Sequence, residues 1–478
     1  MTTISTKPVY LYNTLSRSKG LFTPLHPPHV DIYSCGPTVY RDIHIGNFRA
    51  FMTPDWLRRM LEYNGYDVLL VRNITDVGHL QNDDVETGED KLENEARTTG
   101  RSAYEIADYY TQKYLKDSDE LNILPPQINP KATEHIPEMQ AMTEKLVEKR
   151  LAYVANGNVY YDVSRFPNYG ELSGNTVENL REGGHGRQQM EVAEDKDAPE
   201  DFALWKHGDE NRQMNWESPW GTGFPGWHIE CSAMSTRYLG EQFDIHTGGI
   251  DLRFPHHEDE IAQSYGVSGK EPVQVWIHNE FLIFGSLKMS RSKGNVILVS
   301  TLKERGIDPM AYRYLLLTAH YRSKLNFTDE SIMAAQNGLN NLRDDLAALP
   351  VPELSNGKQI DLWSEKASQV RDAFHTAIND DLDLPTALSI TREVARDNTI
   401  DAAERRHLIL DFDRVLGLRL DTVEAKAPRT VSAEVLALVK QRDEARAARD
   451  WKRSDEIRDL LKTQGYEVRD TPKGTELV

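Results

Sequence analysis

Only two cysteines occur in the 478 residues, and both sit among residue types that do chemistry. Cys35 lies in Tyr33-Ser34-Cys35-Gly36-Pro37, just ahead of His44-Ile45-Gly46-Asn47, and Cys231 closes Gly226-Trp227-His228-Ile229-Glu230-Cys231, upstream of His256-His257-Glu258-Asp259-Glu260. Thiolate, imidazole and carboxylate are the donors that a borderline-soft divalent ion such as zinc accepts, so two lone thiols with such a cluster suggest one shared metal site. The run Glu258–Tyr265 supports a helix after Pro255, and on a helix His256 and Glu260, at i and i+4, share one face. His257 and Glu258 are the competing choices. The plain alternative is two core cysteines, which are among the most buried residue types.

A second pair of segments points to phosphate. His44-Ile45-Gly46-Asn47 falls at a helix start, where a small residue lets a nucleotide approach the backbone and the helix N-terminus favours anions. A histidine there can donate to phosphate oxygens as charge builds. Lys288-Met289-Ser290-Arg291-Ser292-Lys293-Gly294-Asn295 offers three cations among small and hydroxylated residues, a loop able to clamp a triphosphate and steady departing pyrophosphate. Either segment alone is a weak signal; their order within an α/β chain makes the pair specific. Thr75 follows a strand and is placed to meet substrate polar groups, Trp227 to wall a substrate pocket, and His278 and Asn279 to touch a nucleotide. For Thr75 a simple strand-end turn is an equal alternative, and a buried indole is more often core.

These residues need a frame. Val30–Ser34 reads as a strand, the apolar spacing of Phe48, Phe51, Trp56, Leu57, Met60 and Leu61 as a helix reaching Asn64, and Asp67–Ile74 as a buried strand. Together they form a βαβ unit with the first signature beyond a strand's carboxyl end, where ligands of such folds bind. Residues 80–100 read as an exposed polar excursion and 179–201 as a loop. Successive amphipathic helices are expected over Asn337–Leu349, Glu365–Asn379, Leu384–Asp397 and Ala402–Leu416. A break follows at Ala425–Pro428, then a charged helix pair and a short polar tail. The length calls for two to four domains, and no apolar run is long enough for a membrane span or a signal region. A cytoplasmic protein is expected, with thiol or metal chemistry in place of a disulfide framework. The net charge of −19 disfavours indiscriminate polyanion binding but leaves room for a local basic stripe.

The two phosphate segments resemble the two signatures of class I aminoacyl-tRNA synthetases. The wording around them (YSCGPTVYRDIHIGN, RNITDVGH, DFALWK, GWHIECSAMS, GGIDLRFPHHEDEIAQS and KMSRSKGN) resembles the cysteinyl-tRNA synthetases in particular, from about residue 8 to the C-terminus. That resemblance implies a Rossmann-like catalytic domain over 1–328, with a parallel sheet and a connective insertion at roughly 115–225. A tRNA-supporting helical bundle over 329–424 and a small anticodon-recognition domain over 425–478 would follow. It implies activation of cysteine by ATP, with Mg²⁺, to cysteinyl-adenylate and transfer to the 3′-terminal adenosine of tRNA(Cys), by a monomer with no membrane partner. The zinc ligands, one ion per subunit, become Cys35, Cys231, His256 and Glu260. His44, Asn47, Lys288 and Arg291 take the catalytic roles; Gly46, His278 and Ser290 join them at ATP, and Thr75 and Trp227 at the amino acid. Such an ion would select the substrate thiol, since apolar contacts separate near-isosteres by only about 1–3 kcal/mol, and no separate editing domain is evident.

Three positions depart from the pattern: Asn47 stands where many class I members have histidine, Arg291 where lysine is usual, and Glu280 where a small residue is expected. Arginine keeps the charge but grips phosphate differently, so altered ATP handling is the expectation. Lys440, Arg442, Arg446, Arg449, Lys452, Arg453 and Arg458 surround Trp451, an RNA-compatible cluster that otherwise reads as a solvated charged helix. The rival function is the related cysteine ligase of mycothiol synthesis, acting on an amino sugar, which has no use for the segment after Ala425; a catalytically silent RNA-binding paralogue is the third.

Overall fold

The computed structural model describes residues 7–477 apart from 79, 83–86, 176–194, 210, 286, 289–295, 352–362, 427–431 and 472–473. The chain divides into two compact units, Met1–Val423 and Glu424–Val478.

Four strands build the sheet that carries the site: β1 (His29–Ser34), β2 (Asp67–Arg72), β3 (Phe243–Gly249) and β4 (Val273–Asn279), in the order β4-β3-β1-β2 and all parallel. All seven residues of β3 are buried, as expected of a strand covered on both faces. Helix α1 (Ile45–Tyr63) joins β1 to β2 and buries Phe48, Phe51, Trp56, Leu57, Met60 and Leu61. It ends where Gly65, at φ 88°, takes the left-handed conformation that glycine adopts without penalty. Helix α2 (Trp227–Leu239) precedes β3, and α3 (His256–Ser268) links β3 to β4. Cys35 directly follows β1, Asn73 follows β2, and Gly248, Gly249 and Asn279 end their strands, so the carboxyl edge collects the chemistry.

Between β2 and α2, the strands Ala152–Ala155, Asn158–Tyr161, Phe202–His207 and Gly223–Pro225 make an antiparallel sheet. Its core, with Tyr161 and Trp205, is continuous with Cys35 and Cys231. Beyond β4, the short strands β5 (Leu282–Phe284) and β6 (Leu287–Lys288) pair antiparallel, and β5 also pairs with Leu325–Asn326. The helices Asp329–Ala347, Glu365–Asn379, Leu384–Arg396 and Ala402–Leu416 follow. They share one apolar core with the α1 face of the sheet.

Two expectations are corrected. Residues 80–100 are not simply an exposed excursion: Lys91–Thr99 is a helix that buries Leu92 and Ala96, and Asp90 forms a buried ion pair with Arg212. Sparse apolar residues at helical spacing were masked by the surrounding charge. In the second unit, the helices Ala433–Ala447 and Trp451–Thr463 pack around Val435, Ile457 and Leu461, but the tail after them is a hairpin, Val468–Thr471 with Gly474–Leu477. The loop expected at 179–201 lies largely outside the described residues. Among the described residues, no helix is long and apolar enough to cross a membrane.

Candidate active site

Cys35, Cys231, His256 and Glu260 converge from the end of β1, from α2 and from the first turns of α3, all buried. The two sulfurs lie 3.9 Å apart, Cys35 Sγ lies 3.7 Å from Glu260 Oε1, and His256 Nε2 lies 3.0 Å from that oxygen. A tetrahedral zinc with ligands at 2.0–2.3 Å requires donor separations of roughly 3.3–3.8 Å, so these residues fit the ion with shifts of a few tenths of an ångström. A second grouping, Cys35, His246, His257 and Glu260, shares two donors with the first.

The surrounding hydrogen bonds favour the first grouping. His256 Nδ1 meets His228 Nδ1 at 2.9 Å, and His228 Nε2 meets Asp259 at 3.2 Å. That chain ends in a carboxylate, the support metal-ligating histidines usually have. His246 instead meets Glu260 Oε2 at 2.9 Å, and His257 Nδ1 meets His278 Nε2 at 2.7 Å. Burial raises the Cys35 thiol, with Cys231 and Glu260 adding to it, whereas the hydrogen bond from Cys35 holds Cys231 below the usual thiol range. Burial opposes charge on both His256 and Glu260. Even so, Cys231 and Glu260 raise His256 well above its ordinary value, while His246 and His256 hold Glu260 at about 2. Burial, with His246 and His278 nearby, holds His257 well below its ordinary value.

Cys35 also lines a cleft of about 330 Å³ that reaches His44, Gly46 and Asn47 at the start of α1 and includes Trp227, Asn279 and Glu280. His44 caps α1: its Nδ1 accepts from the Asn47 backbone N–H at 3.2 Å, which puts the ring proton of neutral His44 on Nε2. The Gly36 backbone passes so close to β2's exit that a Cβ would stand 1.6 Å from the Asn73 carbonyl oxygen; Asn73 Oδ1 accepts from Gly36 N–H at 2.8 Å. One cleft therefore has a helix N-terminus at one end and Cys35, one of the four clustered donors, at the other.

Residues 21–337 match the family described as tRNA synthetases class I (C) catalytic domain, and residues 429–476 match the cysteinyl-tRNA ligase anticodon binding domain. The chain is 45% identical to Cysteine--tRNA ligase 1 of Burkholderia lata, covering 98% of this chain and 97% of that protein. It is 42% identical to the Cysteine--tRNA ligase of Treponema denticola, covering 96% and 97%. The chain belongs to the cysteine–tRNA ligase family. It is a class I aminoacyl-tRNA synthetase. Its fold is shared with methionyl-tRNA synthetase of Mycobacterium tuberculosis bound to methionyl-adenylate, with a TM-score of 0.55 at 13% identity over 82% of this chain and 90% of that one.

In this synthetase the sequence-expected residues are only partly gathered. His44, Gly46, Asn47, Trp227 and Cys35 meet at the cleft. Thr75 is buried, its hydroxyl donating to Glu230 at 2.8 Å and accepting from Asn73 at 3.1 Å. His278 lies in the interior, held by His257 and by Thr14 at 2.9 Å; its neighbour Asn279 lines the cleft instead. Alternation along β4 turns adjacent residues to opposite faces, which explains the exchange. Ser290 and Arg291 lie outside the described residues, and Lys288 is described only as part of β6. Sequence reasoning missed Asn73, Glu230, His246 and Asp259. The available signal was a polar or charged residue inside an otherwise apolar strand or helix, as in Phe243-Asp244-Ile245-His246.

In the C-terminal unit, Trp451 is 61% exposed. Arg442 is buried, bonded to Asp470 at 2.6 Å and Thr475 at 2.5 Å, and Arg446 also pairs with Asp470. Two of the seven cations expected to face RNA thus hold the hairpin.

Proposed function

We propose that this synthetase activates cysteine with ATP and Mg²⁺ to cysteinyl-adenylate and transfers it to the 3′-terminal adenosine of tRNA(Cys). A zinc site of Cys35, Cys231, His256 and Glu260 would select the thiol. The observation that carries this reading is the cleft that runs from the N-terminus of α1 to Cys35, one of those four clustered donors. Bound there, zinc supplies a preference for thiolate over hydroxyl, the difference between cysteine and serine. Trp227, its ring centroid 4.6 Å from that of His256, walls the amino-acid end, and Thr75 shapes that wall through Glu230. At the other end the α1 N-terminus and the Nε2 proton of His44 face the α-phosphate as the cysteine carboxylate displaces pyrophosphate, with Gly46 and Asn47 admitting the nucleotide. Lys288, Ser290 and Arg291 complete the phosphate side. His278 acts behind the site, through His257.

The helical region 329–424 would support the tRNA and 425–478 read its anticodon, in a monomeric cytoplasmic enzyme with a catalytic domain over 1–328. Cysteine-dependent ATP–pyrophosphate exchange, followed by labelled cysteine offered with total tRNA or with an amino sugar, tests the reading. Charging of tRNA is the expected result, and transfer to the sugar alone would sink it. Cys231→Ser is expected to lower bound zinc and cysteine affinity together, and an unchanged zinc content in that variant removes the metal claim.

A further inference from the structure

Arg49 lies in α1 two residues beyond Asn47 and is 3% exposed. Its guanidinium is gripped by backbone carbonyls: Nη1 donates to Phe281 at 2.6 Å, and Nη2 to Ser323 at 2.5 Å and to His320 and Tyr321 at 3.4 Å each. Burying a cation is costly, and burial lowers this one's pKa. A residue that costs so much and sits one turn from the first signature calls for a use.

The carbonyls it holds supply one. Phe281 lines the cleft and leads into β5, and β5 pairs with Lys288, the first residue of the second signature, across Ile283. The turn at 320–323 is itself tied down. Tyr321 Oη donates to Asp381 Oδ1 at 2.6 Å, Arg322 Nε donates to Oδ2 at 2.8 Å, and His320 Nε2 lies 2.9 Å from the Asp381 carbonyl. Asp381, at φ 58°, sits between the helices Glu365–Asn379 and Leu384–Arg396. A planar fork with several fixed donors can set the relative placement of three segments in a way that a flexible ammonium cannot.

We infer that Arg49 is a positioning residue for the activation step, holding the base of the β5–β6 hairpin against the first turns of α1 so that this hairpin, which ends at Lys288, keeps a fixed separation from the first signature. Misplacement of reacting groups by about 1 Å costs roughly a hundredfold in rate. The inference rests on the ATP reading of the cleft.

The test is ATP–pyrophosphate exchange, with rates expressed per active site titrated by the adenylate burst. Arg49→Gln is expected to lower kcat by about tenfold or more, with the KM for cysteine and the zinc content unchanged. Arg49→Lys, which keeps the charge and the stem but not the fork, is expected to fall between. Phe374→Leu, a bundle-core change distant from the cleft, serves as a stability-matched control and is expected to keep the parental kcat. Parental kcat per active site in both Arg49 variants would overturn the inference, as would a loss no greater than that of the matched control. A wild-type protein without cysteine-dependent exchange would instead refute the reading of the cleft.

Discussion

The two overlapping donor groupings make opposite predictions about neighbouring histidines. If zinc is held by Cys35, Cys231, His256 and Glu260, His256→Gln removes a ligand. His257→Gln removes only a ring that touches Cys35 at 3.3 Å and His278 at 2.7 Å. His228→Gln leaves all four donors in place but breaks the His256–His228–Asp259 chain. Loss of such an outer partner costs 10–100-fold in metal affinity, or about 1.4–2.8 kcal/mol. The expected order of zinc affinity is therefore parent, then His257→Gln within about tenfold, then His228→Gln, with His256→Gln weakest, below about a hundredth of the parent.

Chelator competition at fixed pH measures this directly. Fixed pH matters because the metal-free site carries protons on Cys35 and His256, both raised above their ordinary values. Ligands must lose those protons to bind, so zinc uptake releases protons and affinity climbs as pH rises. Calorimetry in buffers of different ionisation enthalpy counts them. A larger loss for His257→Gln than for His256→Gln would move the ion to the grouping with His246. Equal small losses would refute metal binding by the cluster.

Three further outcomes are expected. Arg313→Met breaks a fully buried pair with Asp55, 2.6 Å apart, and takes a donor from the carbonyls of Leu416, Leu121 and Asn122, although Trp56 still donates to Leu416, and Arg59 to Asn122 and Asp55; urea unfolding should show a loss of about 1–3 kcal/mol, and no measurable loss would mean the pair is not intact in solution. His375 bonds Asn64 at 2.8 Å, and burial with Lys7 and Arg371 nearby lowers it to about 4. Between its unfolded value near 6.5 and 4 the unfolded chain binds the extra proton, so stability falls as pH drops through that window; thermal melts of His375→Gln should show a shallower pH slope, and an identical slope contradicts the assignment. Chelator-stripped protein should keep its near-ultraviolet circular dichroism and lose only the melting-temperature increment due to ligand linkage, whereas collapse of the spectrum would show that folding requires the ion.

How far the sequence could be read follows from what kind of information each residue carries. The βαβ unit was legible because α1 has a 3.6-residue apolar period and β2 a continuous apolar run, patterns that burial imposes directly. The shared face of His256 and Glu260 was legible because it is a local property of one helix. What joins α3 to Cys35 and Cys231 is the parallel register of β1 and β3, where Thr247 stands opposite Ser34, and no local pattern encodes that pairing. His278 and Thr75 show a related limit: both flank strand ends, and only the packed structure shows that their polar atoms engage His257, Thr14, Glu230 and Asn73. The C-terminal arginines show the same limit, since density of charge says nothing about whether Asp470 has folded back upon them.

The protonation pattern also bears on why such a donor set can be built into a core at all. Without an ion, Glu260, held at about 2, is an anion and Cys35 stays a neutral thiol, while Cys231 is lowered toward its thiolate and His256 raised toward its cation. When Cys231 is the thiolate and His256 the cation, these four groups sum to one negative charge. With zinc bound, three anionic ligands and a neutral imidazole balance against two positive charges and again sum to one negative charge. From that state the ion exchanges for the protons of Cys35 and His256 at constant net charge, so the surrounding shell of His228, His246 and Asp259 faces the same net charge before and after binding. A buried charge is costly chiefly when it is uncompensated. A site that compensates itself with protons can stay organised until metal arrives, and only the approach of a further thiolate, the one a cysteine substrate would bring, alters the balance.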